Sequence, residues 1–202
     1  MKYTDLTYTI TENMPVYPGT EKPVLEKLEI DGYRETLFHM FSHTGTHMDA
    51  PYHVFKDGRK LEDYSIEEFT GRAAVIDIPQ GTKTIEPEML KSAEGFGFVL
   101  LRTGWGSKWG RDEYFDGFPV LSLKAAEYLA GLRLKGIGLD CISVDEVGMN
   151  ELPVHRVILG SGMLIIENLA CLEMLPAEVT FTALPLKYAD SDGCSVRAFA
   201  SY

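Results

Sequence analysis

The run His43-Thr44-Gly45-Thr46-His47-Met48-Asp49-Ala50-Pro51-Tyr52-His53 narrows the choice of local structure more than any other part of the chain. The spacing of His43 and His47 would suit one face of a helix, but the residues around them do not. Thr44, Gly45 and Thr46 are poor helix formers, and Pro51 pushes Ala50 toward extended geometry. In an extended stretch His47 and Asp49, two residues apart, point to the same side. Gly45 lets the chain turn tightly enough for His43 to face the same point. A tight turn and a short extended piece are expected, presenting two imidazoles and a carboxylate together.

Three of the five histidines lie within this run. A catalytic metal site needs several neutral imidazoles or carboxylates converging on one point, with a position left for water. The alternative is a polar surface loop. A His/Asp cluster bounded by Gly and Pro, in a chain otherwise poor in histidine, favours the metal.

The surrounding pattern is α/β. Asn13-Met14-Pro15-Val16-Tyr17-Pro18-Gly19 reads as an ordered loop after a short first strand, and 35–41 as a strand running into the histidine segment. Ser65 with Glu68 starts a short helix that Gly71 ends, and a strand follows over 73–78. A helix over 86–93 precedes a buried strand at 98–101. Ser122 caps a helix through Leu129, followed by a strand over 136–140. Pro153 opens a short helix containing His155 and ending near Gly160, and 163–167 is an apolar strand. Strands over 178–186 and 195–200 close the chain. Helix and strand alternate in the middle and both ends are strand-rich, which predicts an α/β class.

With 202 residues and no linker or repeat, one domain over 1–202 is expected. A formal charge of −11 repels phosphate backbones and anionic lipid, which argues against nucleic-acid and membrane partners. Cys141, Cys171 and Cys194 are far apart and odd in number, so neither a zinc knuckle nor a disulfide framework is expected. They read as fillers of small buried sites in a reduced protein. The first residues, MKYTDLTYTI, lack the basic and apolar blocks of a signal peptide, and no apolar run reaches membrane length. A cytoplasmic location follows as an expectation.

HTGTHMDAPYH resembles the HxGTHxDxPxH signature of the cyclase-like metal-dependent hydrolases, which include bacterial kynurenine formamidases and isatin hydrolases. The likeness extends through VYPG near the start, LLRTGW at 100–105 and GLDCISVD at 138–145. It continues in His155, Ile166-Glu167-Asn168-Leu169 and DGCSVRA at 192–198. The resemblance implies a single-domain swivelling β/β/α fold and a homodimer or higher homo-oligomer. It implies two divalent ions, zinc first and manganese second. His43, His47 and Asp49 match the first group of ligands, with Asp49 bridging to the second metal. His155 matches the second metal's histidine, Glu167 a shared carboxylate, and His53 the proton donor and acceptor. Three histidines and two carboxylates suit such a pair, because bridging acids relieve the repulsion between the ions.

Some residues can be weighed individually. A carboxylate in the apolar run Leu164-Ile165-Ile166-Glu167 costs several kcal/mol unless paired; a strand-end acid facing water is the alternative. His155 alone would read as a helix-surface residue. His39 falls outside the motif and reads as structural. Asp140, Ser143 and Asp145 are explained equally well by loop and helix-cap roles. Trp105 and Trp109 are candidates for pocket lining or for core. Tyr17 stands where kynurenine formamidases usually carry a tryptophan against the substrate ring; tyrosine is smaller and adds a hydroxyl.

The resulting expectation is a hydrolase of a small-molecule, non-peptide amide, such as an N-formyl aryl amine, attacked by metal-bound hydroxide. A hydrolase of cyclic amides or lactones is the nearest rival, and a non-catalytic metal-binding module the more distant one. His53 beside a complete ligand set favours an enzyme, since a binder needs no extra base.

Overall fold

Continuous apolar runs on the middle strands bury both of their faces and organise the rest of the chain. A computed structural model describes residues 1–202. The strands are β1 (Tyr3–Asp5), β2 (Val24–Ile30), β3 (Tyr33–His39), β4 (His47–Asp49), β5 (Thr70–Asp77) and β6 (Thr84–Ile85). They continue as β7 (Phe98–Arg102), β8 (Val120–Leu121), β9 (Gly136–Leu139), β10 (Leu164–Glu167), β11 (Glu178–Pro185) and β12 (Gly193–Ser201). The α-helices are α1 (Leu123–Gly131) and α2 (Pro153–Gly160). The result is a mixed α/β fold with a sheet-dominated, barrel-like core.

The main sheet runs β1-β12-β11-β5-β7-β9-β10-β4, and β4 also pairs with β12, which closes it. β4 and β1 share one edge of β12: β4 takes Gly193–Ser195 and β1 takes Phe199–Ser201. β5, β7, β9 and β10 are parallel neighbours, and the remaining pairs of this sheet are antiparallel.

Strand alternation divides the core in two. Met48, Ala73, Val75, Phe98, Leu100 and Ile166 belong to the cluster enclosed by the sheet. Their neighbours Ala74, Ile76, Val99, Leu101, Ile137 and Ile165 face outward into a second cluster beneath α1 and α2. His47 and Asp49 flank the inward Met48, so both project outward from the closing strand.

The expected elements hold with shifted ends. Gly71 lies inside β5 instead of ending a helix, and the two short helices expected over 65–71 and 86–93 are 3₁₀ turns, Ile66–Phe69 and Pro87–Ala93. The Ser65–Glu68 capping box is present. Ser122 caps α1 by accepting the Ala125 amide at 3.1 Å. The strand expected over 35–41 is β3, which ends at His39 and forms a hairpin with β2, a strand not anticipated. Acidic and basic residues between the apolar positions of β2 mask its period. Cys141 and Cys194 are buried, but Cys171 is exposed, at a left-handed φ of 55° ahead of a 3₁₀ turn.

Candidate metal centre

The seam where β4 lies between β10 and β12 fixes most of the site. Antiparallel pairing sets Glu167 opposite His47 on one side and Gly193 opposite Asp49 on the other. Directly opposed residues share a face of the sheet. The outward positions of three strands thus bring His47, Asp49 and Glu167 together, although Glu167 is remote in sequence. Asp49, His47, His155 and Glu167 are all buried.

Before β4 the chain turns at Gly45, which has a φ of 68°. That turn brings His43 back over Asp49: Nδ1 lies 2.6 Å from Asp49 Oδ1 and Nε2 lies 2.9 Å from Asp192 Oδ2. The ring lies against Gly193, where an added Cβ would be 2.3 Å from its Cε1. His43, His47 and Asp49 converge, and so do Asp49, His155 and Glu167, each trio with donor atoms within 4.8 Å of one another. Asp49 belongs to both.

Two histidines are oriented from behind. The Nδ1–H of His47 donates to the Gly45 carbonyl at 2.8 Å, which leaves Nε2 with its lone pair toward the carboxylates. Asn168 Nδ2 donates to the same carbonyl, also at 2.8 Å. His155 Nδ1 donates to Asp145 Oδ2 at 2.7 Å, which aims its Nε2 at Asp49 and Glu167. Asp145 also accepts the Val154 and His155 amides at 3.0 Å each, capping α2. The cap and the support of His155 are one carboxylate.

His47 Nε2 lies 3.4 Å from both Asp49 Oδ1 and Glu167 Oε2, and His155 Nε2 lies 3.7 and 3.5 Å from Asp49 Oδ2 and Glu167 Oε1. These separations exceed good hydrogen bonds. They match the spacing of N and O donors around a shared ion: two donors ~2.1 Å from one centre at the tetrahedral angle are ~3.4 Å apart. His47, His155, Asp49 and Glu167 therefore fit a divalent cation, while His43 is hydrogen-bonded to Asp49 at their edge. Electrostatics agrees. Burial opposes charge on His43, yet Asp49 and Asp192 override it and raise the pKa to about 10. Burial likewise works to raise the Asp49 pKa, but the surrounding histidines hold it well below the carboxylate range. The pocket is built to hold positive charge among carboxylates.

His53 ends a 3₁₀ turn after Pro51 and lies beside the cluster, its ring 4.1 Å from that of His43 and 6.0 Å from that of His155. Its Nδ1 is 3.7 Å from Asp192 Oδ2. A cavity of about 320 Å³ opens above these groups, lined among others by Tyr17, Phe41, His53, Ile142, Met149 and Leu152. Tyr17 is therefore at the site, and His39 is not, lying exposed on β3. Trp105 and Trp109 are outside the lining and pack against the outer core; Trp109 stacks on Tyr8 at 3.9 Å. Asp140 is likewise structural, accepting the Thr103 and Gly104 amides at 3.0 and 2.9 Å.

Sequence reasoning passed over Asp192, Asp145, Asn168 and Gly193 as site residues. All four sit in runs quoted above, but nothing local shows that 192 and 193 meet 43 and 49.

Comparison with known proteins agrees with this geometry. The Cyclase family model matches residues 4–146. A kynurenine formamidase of Bacillus cereus is 31% identical over 205 residues, covering 98% of this chain and 96% of that protein. A solved structure of a potential metal-dependent hydrolase with cyclase activity superposes with a TM-score of 0.84 at 27% identity, covering 98% of this chain and 96% of the other. An isatin hydrolase bound to the product analogue thioisatinate shares the fold with a TM-score of 0.89 at 24% identity, covering 98% and 91%.

Proposed function

The chain belongs to the Cyclase family and is a hydrolase, and from that premise we propose that it cleaves a non-peptide amide of the N-formyl aryl amine type. Divalent metal use accords with the relatives and with the His/Asp/Glu cluster. Our reading assigns two ions, zinc first and manganese second. His43, His47 and Asp49 would hold one and His155 the other, with Asp49 and Glu167 shared. The observation that carries the cluster is the set of 3.4–3.7 Å separations of His47 and His155 from Asp49 and Glu167, and His43 joins it by its convergence with His47 and Asp49.

Such ions supply Lewis acidity, polarising the amide carbonyl and acidifying water near neutral pH. The protein's own groups do the rest. Asp49 and Glu167 hold the donor set in register through the β4–β10 pairing. Asp145 and the Gly45 carbonyl fix the rings of His155 and His47. His53 takes the proton released as water adds to the carbonyl carbon and returns it to the amide nitrogen as the C–N bond breaks. The products are a free amine and a carboxylic acid, formic acid for a formamide. We assign the transfer to His53 Nε2, because Nδ1 is the ring nitrogen 3.7 Å from Asp192 Oδ2.

β1 at one end of the chain pairs with β12 at the other, which supports reading 1–202 as one domain. No helix is long and apolar enough to cross a membrane. Three unpaired cysteines support a cytoplasmic setting. The β2–β3 hairpin supports a homodimer or larger assembly: Val24, Ile30, Tyr33 and Leu37 are exposed on one face of a two-stranded ribbon, which is marginal alone in water.

The test is a panel of N-formyl aryl amines, cyclic imides, isatin and lactones offered to the metal-loaded protein. Aryl formamides should be turned over best. Asp49→Ala should lose bound metal and activity, whereas His39→Asn should keep its metal stoichiometry. Full activity in Asp49→Ala, or an emptied site in His39→Asn, would overturn the ligand assignment.

A further inference from the structure

The rim of the cavity is spanned by a single bond between two loops. Tyr17 lies in the loop between β1 and β2, and its hydroxyl accepts the backbone N–H of Gly148 at 2.9 Å. Gly148 lies in the loop between β9 and α2, at a φ of 86°. Both loops line the cavity: Val16, Tyr17 and Thr20 from the first, and Ser143, Met149 and Leu152 from the second. Their separation sets the width of the entrance, and the Tyr17–Gly148 bond ties it. A tryptophan at 17 could not make this tie, because an indole N–H only donates and would face another donor.

The chemistry of the walls is one-sided. The 16 residues around the cavity include no lysine or arginine. Its floor carries Asp49 and Glu167, and Asp192 lies against His43. Three carboxylates outweigh the charge that one divalent ion would bring and offset most of that of two. A carboxylate on the substrate, away from the scissile amide, would meet no lysine or arginine, and the His43 ring is already held by Asp49 and Asp192 and the His155 ring by Asp145, so its desolvation would go uncompensated. At about 320 Å³ the cavity also lies at the small end of ligand pockets, which span ~300–1,000 Å³.

We infer that this pocket selects small, uncharged amides, and that Tyr17 determines the specificity by holding the two loops at the width such a substrate needs. The inference rests on the amidohydrolase reading and adds its substrate class. An aryl formamide carrying a charged amino-acid side arm is then a poor substrate compared with formanilide.

The experiment uses metal-loaded protein with formanilide, its para-tert-butyl derivative and 4-formamidobenzoate. The wild type should favour formanilide over 4-formamidobenzoate by at least about tenfold in kcat/KM, as expected when a charged group is left unpaired. Tyr17→Phe keeps the ring and removes the tie. The preference for formanilide over the tert-butyl compound should then fall by about three- to tenfold, mainly through KM, as for loss of one net hydrogen bond. Hydrogen exchange at the Gly148 amide should accelerate, with metal content unchanged. Binding is read separately, from the shift of the Gly148 amide resonance on titration with each compound. Loss of turnover with the binding order intact would strike the amidohydrolase reading alone. Equal or tighter binding of 4-formamidobenzoate would overturn the pocket assignment. So would an unchanged size preference in a Tyr17→Phe protein whose Gly148 amide exchanges faster.

Discussion

Replacing Gly193 with alanine adds one methyl group at the most crowded point of the metal centre. An ideal Cβ there would lie 2.3 Å from Cε1, 2.7 Å from Nε2 and 2.9 Å from Nδ1 of His43. Ordinary contact begins near 3.4 Å, so the ring or the strand must retreat by about 1 Å. Neither has easy room. Gly193 is held in register with Asp49, and the His43 ring is pinned between Asp49 and Asp192. Overpacking of this kind costs about 1–3 kcal/mol, worth ~2–4 °C in Tm per kcal/mol in a chain of this size. The functional loss should be larger in proportion, because a displacement of about 1 Å can cost ~10²-fold in rate. Bound metal by atomic absorption, kcat/KM on the best amide, and Tm by calorimetry read the three effects. Gly131→Ala is the control: it ends α1 with no heavy atom within 4 Å of its added methyl, and should match or exceed wild type in stability. A Gly193→Ala protein with full metal, wild-type rate and unchanged Tm would refute the claim that His43 depends on this close approach.

Four further outcomes are expected. His53→Ala should retain most of its metal but lose about 10²–10⁴-fold in amide turnover, with an activated ester less affected because its leaving group needs less protonation; equal losses on both would remove the proton-transfer role. Asp145→Asn should lower metal affinity by about 10–100-fold through misorientation of His155, measured by competition with a chelator; unaltered affinity would leave Asp145 as a helix cap only. Tyr33→Glu with Leu37→Glu should reduce the mass seen by light scattering if the hairpin makes the assembly, and an unchanged mass would exclude that face. The Ser191 hydroxyl, opposed by burial and joined by backbone amides, lowers the Glu62 pKa from 4.5 to about 2. Its contribution to stability is therefore present above pH ~4.5 and lost as pH falls toward 2, so Glu62→Gln should have a shallower acid-unfolding curve; identical curves would show that the loop holding Asp192 is secured otherwise.

The part of the site legible in the sequence is the part that is contiguous in it. His43, the turn at Gly45, His47, Asp49 and His53 form one run, so Gly and Pro punctuation and strand alternation suffice to bring three of those side chains to one point. Helix α2 was legible for a similar reason, since Pro153 marks its start and Gly160 its end. What period alone could not supply was partnership. Glu167 and the 193–195 segment reach β4 only because β4 lies between β10 and β12, a consequence of closing the sheet. The second role of Asp145 is hidden for a related reason: a carboxylate before a helix looks like a cap, and it is one, but the α2 residue it caps carries the imidazole it also steadies.

Closure of the sheet and assembly of the centre are consequently one event. β4 is only three residues long, yet it joins β10 to β12 and contributes both His47 and Asp49. Its middle residue, Met48, is fully buried in the enclosed core, while the two flanking residues face the cavity. A slip of one residue in this register would bury an imidazole and a carboxylate in the apolar interior and turn Met48 outward. The cost of unpaired buried charge excludes that alternative more strongly than the few hydrogen bonds of so short a strand could. The polar pair thus helps to enforce the register that places Glu167 opposite His47 and Gly193 beneath His43. For the same reason, substitutions that fill or empty the space around Met48 should disturb the metal donors before they unfold the sheet.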